Sequence, residues 1–409
     1  MSDSPASSPQ TSATAGGNPS AQGARDAKLI AIFFPQFHAI AENNAWWGEG
    51  FTDWDNVRSG TPQYPGHYQP RVPINADYYD QSQIEVLRRQ IDVARAHGAH
   101  GFCHYHYWFD GKQLLQTPTN LILENRDIDF PFCLSWANET WSRRWDGHDN
   151  KILIAQTHPP TRESWKAHYD YLIKAWTDPR AIKVDGKPVF VIYRPQNIQK
   201  IDEMLAFWRE LAVQDGLKGL YFIFQKTHDP GNVRCLNSFD AVFQFQPFEA
   251  VHSLGYDRGS VKHSPWFKWV RRLPERYQDW LRSLRAKWVR ELTFHDYETA
   301  WRIATEIRPY ERFTTFPGAF VDWDNAARYK KRATVFRGAS PQLFRYWFAK
   351  LVDSMAQRDL PENLIFLNAW NEWSEGAYLE PDEKYGYQYL DAVKAVLMGN
   401  TDANQSDSS

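Results

Sequence analysis

The sequence predicts an α/β fold, a single (β/α)8 TIM-type barrel with long insertions after strands 1 and 6, and three observations carry that prediction. Short apolar runs rich in β-branched and aromatic residues alternate with stretches of helical spacing, the pattern of a parallel sheet. Eight such runs occur in order, the number that closes a barrel. The first run continues into Phe34-Pro35-Gln36-Phe37-His38, not into the Gly-rich phosphate loop that announces an open doubly wound sheet.

The strands are predicted at residues 29–34, 101–107, 131–137, 188–193, 220–225, 241–246, 316–321 and 364–370. Helical spacing falls between them at residues 81–96, 113–124, 161–176, 201–214, 297–307 and 341–357, with a last helix at 385–397. The connection between the fifth and sixth strands is short and shows no clear helix. Residues 35–79 are rich in Trp, Tyr, Asn and Pro, and residues 247–295 are basic and aromatic. Both follow strands, so both border the C-terminal face, where barrel active sites form. Residues 1–27 and 399–409 are small and polar and are expected to be disordered tails, leaving residues 28–398 as one catalytic domain.

Bulk composition narrows the function classes. A net charge of -2 argues against a nucleic-acid partner, and no nucleic-acid reading motif accompanies the basic stretch. Aromatic residues make up 16%, enough to raise the odds of a sugar site, because flat rings stack on the C–H faces of sugars. The same residues also serve as ordinary core filling. Cys103, Cys133 and Cys235 give no disulfide framework, and Cys103 and Cys133, inside apolar runs, read as buried free thiols that suit a reducing compartment. No apolar run of secretory or membrane-spanning length is present. The expected setting is the cytoplasm.

The chemistry concentrates after the last strand, in Asn368-Ala369-Trp370-Asn371-Glu372-Trp373-Ser374-Glu375-Gly376. Strand parity puts Asn368, Trp370 and Glu372 on one face. Gly376 lets the chain turn back, so that Glu375 reaches the same pocket. Glycoside cleavage uses such a pair, one group protonating the leaving oxygen and the other acting at the sugar. The competing reading is a pair of Glu residues that cap a turn or meet nearby Arg and Lys.

Other residues are candidates for the sugar-binding wall. Trp136 and Asn138 share a face at the end of the third strand, and Glu139 follows them. Glu139 is either an alternative partner to Glu372 in the acid pair or a salt-bridge partner of Arg143 or Arg144. His104 and His106 share a face of the second strand and read as hydrogen-bonding groups for sugar hydroxyls or as packed, satisfied rings. Later strands offer no further ligands for a zinc site built on them, so no metal and no organic cofactor is expected. Asp322-Trp323-Asp324 follows the seventh strand, and parity points Asp322 at the barrel mouth. Residues 264–290 read as an insertion packed on the barrel with wet Arg side chains, or as a peripheral contact with an anionic membrane.

Several motifs resemble the WbsX-like family of polysaccharide loci, usually labelled glycosyltransferase. They are Phe33-Phe34-Pro35-Gln36-Phe37-His38, Trp46-Trp47-Gly48-Glu49-Gly50-Phe51-Thr52-Asp53-Trp54, Gly101-Phe102-Cys103-His104-Tyr105-His106-Tyr107-Trp108, Trp136-Ala137-Asn138-Glu139 and Trp370-Asn371-Glu372-Trp373-Ser374-Glu375-Gly376. The resemblance covers residues 28–397. The family's barrel is similar to that of the family ninety-nine glycoside hydrolases, the endo-α-mannosidases, through Asn-Glu-Trp-x-Glu-Gly. That similarity implies Glu372 as the base on the sugar's own 2-hydroxyl and Glu375 as the acid, with retention and an axial 2-hydroxyl as in mannose or rhamnose. The expectation is a retaining glycoside hydrolase acting on a bacterial surface polysaccharide. Its catalytic residues are Glu372 and Glu375, and its sugar wall is Trp46, Trp47, His104, His106, Trp136, Asn138, Glu139, Asp322 and Trp373. The alternatives are a glycosyltransferase of lipopolysaccharide or O-antigen assembly and an inactive glycan-binding barrel.

Overall fold

Alternating apolar strands and one-sided helices leave a parallel barrel as the arrangement that buries both sets of faces. The computed structural model describes residues 26–142, 152–227, 237–253, 292–310 and 312–399. The barrel strands are β1 (Lys28–Phe33), β2 (Ala99–Phe109), β3 (Phe132–Trp136), β4 (Lys187–Ile192), β5 (Tyr221–Lys226), β6 (Ala241–Gln244), β7 (Thr314–Phe316), β8 (Gly318–Phe320) and β9 (Leu364–Asn368). They form a nearly closed parallel barrel in the order β7-β6-β5-β4-β3-β2-β1-β9-β8.

The seventh predicted strand is two segments, because Pro317 has no N–H to give a ladder. Thr314–Phe316 pairs with β6 and Gly318–Phe320 pairs with β9. The Pro317 carbonyl accepts from the Phe366 N–H at 3.1 Å and so carries the ladder across the break.

Parity sorts the strand side chains. Ile30, Ile32, Cys103, Cys133, Val191, Ile223, Phe243 and Phe366 fill the interior. Leu29, Ala31, Phe33, Phe102, Phe190, Phe222 and Leu367 face outward and pack with the helices. Cys103 and Cys133 sit side by side in register, buried and unbridged, while Cys235 lies outside the described residues.

The helices are α1 (Ala41–Trp47), α2 (Asp53–Arg58), α3 (Ile84–Ala96), α4 (Thr117–Glu124), α5 (Arg162–Trp176), α6 (Ile201–Gln214), α7 (Phe248–Ser253), α8 (Tyr297–Glu306), α9 (Ala326–Tyr329), α10 (Pro341–Met355) and α11 (Gln388–Leu397). Helices α3, α4, α5, α6, α8, α10 and α11 pack on the outer face, while α1 and α2 belong to the first insertion and α7 and α9 to the connections after β6 and β8. Helix α6 buries Ile201, Met204, Leu205, Trp208 and Ala212, one stripe at helical spacing. Thr161, Asp296 and Ser340 cap α5, α8 and α10 through their side-chain oxygens. Helix α4 begins four residues later than predicted, because Lys112–Leu114 folds back antiparallel on the end of β2. The strand pair Thr293–Asp296 and Thr334–Arg337 was not foreseen. Among the described residues no helix is long and apolar enough to cross a membrane. The basic segment 264–290 and the two tails beyond residues 26 and 399 lie outside the described residues, as do Arg143 and Arg144.

The first insertion is clamped to the rim by buried charge. Asp324 accepts from His67 Nε2 at 2.8 Å, Gln69 Nε2 at 2.7 Å and Arg71 at 3.3 Å, and Asp322 accepts from Arg71 at 2.9 Å. This anchorage folds residues 35–79 over the C-terminal mouth.

Candidate active site

Strand β9 ends at Asn368, and the chain then makes a short antiparallel turn in which Asn371 and Glu372 pair with Tyr378 and Ala377. Asn371 fixes this turn against the end of β1: its amide accepts from the Phe34 N–H at 2.8 Å and donates to the Phe34 carbonyl at 3.0 Å. Gly376 sits at φ +65°, and a Cβ there would lie 3.0 Å from the Asp324 backbone nitrogen. The left-handed conformation and the close approach both demand glycine.

The turn brings Glu372 and Glu375 onto one guanidinium. Arg328, in α9, donates from Nη2 to Glu372 at 2.9 Å and from Nη1 to Glu375 at 3.0 Å. The same Nη2 meets Asp53 at 3.0 Å and Gln36 Oε1 at 3.3 Å. Asp53 opens α2 in the first insertion and also accepts from the Ser374 hydroxyl at 2.6 Å. Three carboxyl groups therefore surround one buried cation. Burial pushes the Glu372 carboxyl well above the usual carboxylate range, with Arg328 pulling the other way and Glu375 and Asp53 adding to the rise. Burial also raises Glu375 against the pull of Arg328. For Glu375 the direction of this rise favours the protonated form, which is what a general acid needs. The Glu375 side chain keeps 19% of its surface, against 3% for Glu372, so Glu375 is the more open member of the pair.

Aromatic rings flank these acids. Gln36 donates to the Tyr107 hydroxyl at 3.1 Å, and Tyr107 feels the charges of Glu372, Arg328 and Asp53. Trp141 packs on Tyr107 at 5.2 Å and on Trp46 at 6.0 Å, while Trp47 lies 5.8 Å from Phe51. Tyr193, at the end of β4, feels the charges of both Glu139 and Glu375. Glu139 is bridged by Arg194 at 2.8 Å and keeps 47% of its side-chain surface. Trp46 thus reaches Tyr107 through Trp141, and Glu139 shares the neighbour Tyr193 with Glu375.

The remaining expected wall residues stand elsewhere. Trp370 packs outward, 5.1 Å from Phe102, because the strand and its alternation end at Asn368. Trp136 also faces outward, against His168 at 4.5 Å. His104 lies among Phe33, Phe102 and Phe132, and His106 shares a 2.8 Å contact with His168. Burial lowers both imidazoles to about 3, so they are neutral packing groups. Asn138 is saturated by the Arg194 backbone and His158, tying the ends of β3 and β4. Asp322 is engaged by Arg71 at 2.9 Å and by the Trp323 N–H at 2.7 Å. Trp373 is buried, stacks on Tyr378 at 3.7 Å and donates to Glu380 at 2.7 Å. These six positions, His104, His106, Trp136, Asn138, Asp322 and Trp373, are structural in their contacts.

Sequence reasoning missed Arg328 and the role of Asp53. Asp53 lay inside a recognised motif, but Arg328 sits in a four-residue helix that carries no pattern. A cavity of about 520 Å³ lies at the opposite end of the barrel, lined by Lys28, His100, Lys183 and Leu364. Those residues stand at strand starts, the end of such barrels that supports stability, whereas chemistry belongs to the strand ends.

A parallel barrel with two carboxyls at the end of its last strand defines the architecture of many glycoside-processing enzymes. The chain belongs to the WbsX glycosyltransferase family, whose model matches residues 29–393. It is 35% and 34% identical over 372 residues to uncharacterized proteins named WxcX from two strains of Xanthomonas campestris pv. campestris, with 91% of the chain aligned. The chain spans 50% of the length of each of these relatives. Among solved structures it is similar in fold to the GH99 endo-alpha-mannosidase of Bacteroides thetaiotaomicron, with a TM-score of 0.52 and 12% identity over 90% of this chain and 96% of that one. A glycoside hydrolase-like protein matches with a TM-score of 0.55 and 13% identity over 91% and 94% of the two chains.

Proposed function

We propose that the protein is a carbohydrate-active enzyme, a retaining glycoside hydrolase acting on an α-linked mannose- or rhamnose-type bacterial surface polysaccharide. The carrying observation is the shared contact of Glu372 and Glu375 with Arg328 at the end of the last barrel strand. Glu375, raised by burial and partly open, is the general acid that protonates the leaving glycosidic oxygen. Glu372 is the base that takes the proton of the sugar's 2-hydroxyl, the role implied by resemblance to the mannosidases. Residues 28–398 act as the catalytic domain. Trp46, Trp47 and Glu139 extend the sugar wall with Tyr107, Trp141 and Tyr193. No cofactor takes part in this reading.

A second reading is favoured by the family's description: a glycosyltransferase of lipopolysaccharide or O-antigen assembly. In the cytoplasm such an enzyme meets a lipid-linked precursor or a nucleotide donor and not the finished coat. Incubation with the surface polysaccharide of the source organism tests the two. New reducing ends support hydrolysis. Calorimetric binding of a sugar nucleotide with no reducing ends supports transfer. Glycan affinity without turnover, unchanged in Glu372→Gln and Glu375→Gln, would leave a binding barrel.

A further inference from the structure

The three carboxyl groups at the barrel mouth come from two distant parts of the chain, and one side chain joins them. Arg328 is 6% exposed, and its two terminal nitrogens divide the acids: Nη1 takes Glu375, and Nη2 takes Glu372 and Asp53. We propose that Arg328 is a positioning residue whose planar fork sets the separation of Glu372 and Glu375 and holds both acids on the substrate side of the turn. This rests on the reading of those two residues as the acid–base pair.

The geometry argues for the fork and not merely for charge. Glu372 and Glu375 sit three residues apart on a tight turn, and their side chains have freedom to diverge. The two Nη atoms are fixed relative to each other by the guanidinium plane, so carboxylates bound one to each nitrogen are fixed as well. A lysine ammonium has three donors but all on one freely rotating atom, so it cannot fix two acids at the separation that the two Nη atoms impose. Arg328 is itself set from behind. Asp324 Oδ1 accepts from the Ala326 N–H at 3.1 Å and holds the start of α9, while the Asp324 N–H donates to the Glu375 carbonyl at 2.7 Å. One aspartate thus registers the helix that carries the arginine against the turn that carries the acid.

The groups facing the pair come from every surrounding element: Asp53 and Gln36 from the first insertion, Tyr107 from β2, Tyr193 after β4, and Arg328 and Tyr329 from α9. Among these, Arg328 is the cation in hydrogen-bond contact with both glutamates. Burial raises both glutamates and Arg328 opposes that rise in each, so the contact of each acid with the fork biases where a proton of the pair sits.

The test reads the acids directly, without a substrate. Protein carrying ¹³C-labelled glutamate carboxyls is titrated by NMR, with the two signals assigned by Glu372→Gln and Glu375→Gln. In Arg328→Lys the signal of one glutamate stays near its wild-type midpoint and the other rises by about one to three pH units, the effect of losing a contacting cation. In Asp53→Asn, where Arg328 is freed for the pair, both midpoints fall. Circular dichroism confirms that each variant is folded, and Asp53→Asn serves if Arg328→Lys is not. Unmoved midpoints in the folded variants, or equal movement of both in Arg328→Lys, overturn the positioning role. If the variants show these midpoint shifts but the wild-type protein turns over no glycan, the catalytic reading is overturned and the fork is left intact.

Discussion

Substituting Glu380→Gln tests how the acid-bearing turn is held to the fold. Glu380 is 7% exposed and accepts from Tyr79 at 2.7 Å, Gln90 at 2.7 Å and the Trp373 indole at 2.7 Å. It therefore pins Trp373, one of the two residues between Glu372 and Glu375, to the first insertion and to α3. Burial raises its carboxyl from 4.5 to about 7 despite those three donors. In the unfolded chain the group ionises near 4.5, whereas in the fold it stays protonated until about 7. The stability it contributes is complete below 4.5 and is lost as pH rises through that window. A gap of about 2.5 pH units corresponds to a loss of about 3 kcal/mol. Glutamine keeps two acceptor contacts, and Gln90 can turn its amide to accept from the new NH2 group. Urea unfolding of both proteins at pH 4.5 and pH 8 gives the comparison. The wild type should lose about 3 kcal/mol more than the variant across that interval. Parallel losses in the two proteins would refute the account of Glu380 as a buried, proton-holding anchor.

Other outcomes follow from the same contacts. Trp208 is fully buried between α6 and the barrel wall, so Trp208→Ala should lower unfolding stability by about 3–5 kcal/mol in denaturant titration. Arg71→Met leaves Asp322 and Asp324 without their shared buried cation, and should cost about 3–5 kcal/mol by the same measurement. That variant should also increase proteolysis within residues 35–79, since the clamp on the first insertion is gone. His104→Phe removes a neutral packed ring, and glycan turnover should stay within about threefold of wild type, in contrast to the acid pair.

Much of the barrel was legible because its periodicities are strong. The run Ile201–Gln214 shows helical spacing from end to end, and the helix has those bounds. The Asn-Glu-Trp-x-Glu-Gly turn was also legible, since Gly376 predicts a reversal that brings two acids together. Parity misled beyond the strand ends. Trp370 and Asp322 follow residues where the ladder has stopped, so alternation no longer fixes their direction. His106 and Trp136 lie on β2 and β3, respectively, but their outward face was indistinguishable from an inward one, because both faces of a covered barrel strand are buried. Asn138 and Trp373 looked available because their long-range partners, Arg194 and Glu380, are set by tertiary contact and leave no local mark. Arg328 was hidden for the same reason: it joins Asp53 across 275 residues of chain.

The sharpest measurement compares leaving groups on whichever aryl or alkyl glycoside the wild type cleaves. If Glu375 is the acid, Glu375→Gln should lose about 10²–10⁴-fold on an alkyl glycoside, whose oxygen needs a proton, and approach wild-type rate on a dinitrophenyl glycoside, whose oxygen does not. Glu372→Gln should be slow on both. Equal losses for Glu375→Gln on the two leaving groups, or rescue of Glu372→Gln by the activated one, would contradict the roles assigned to the pair.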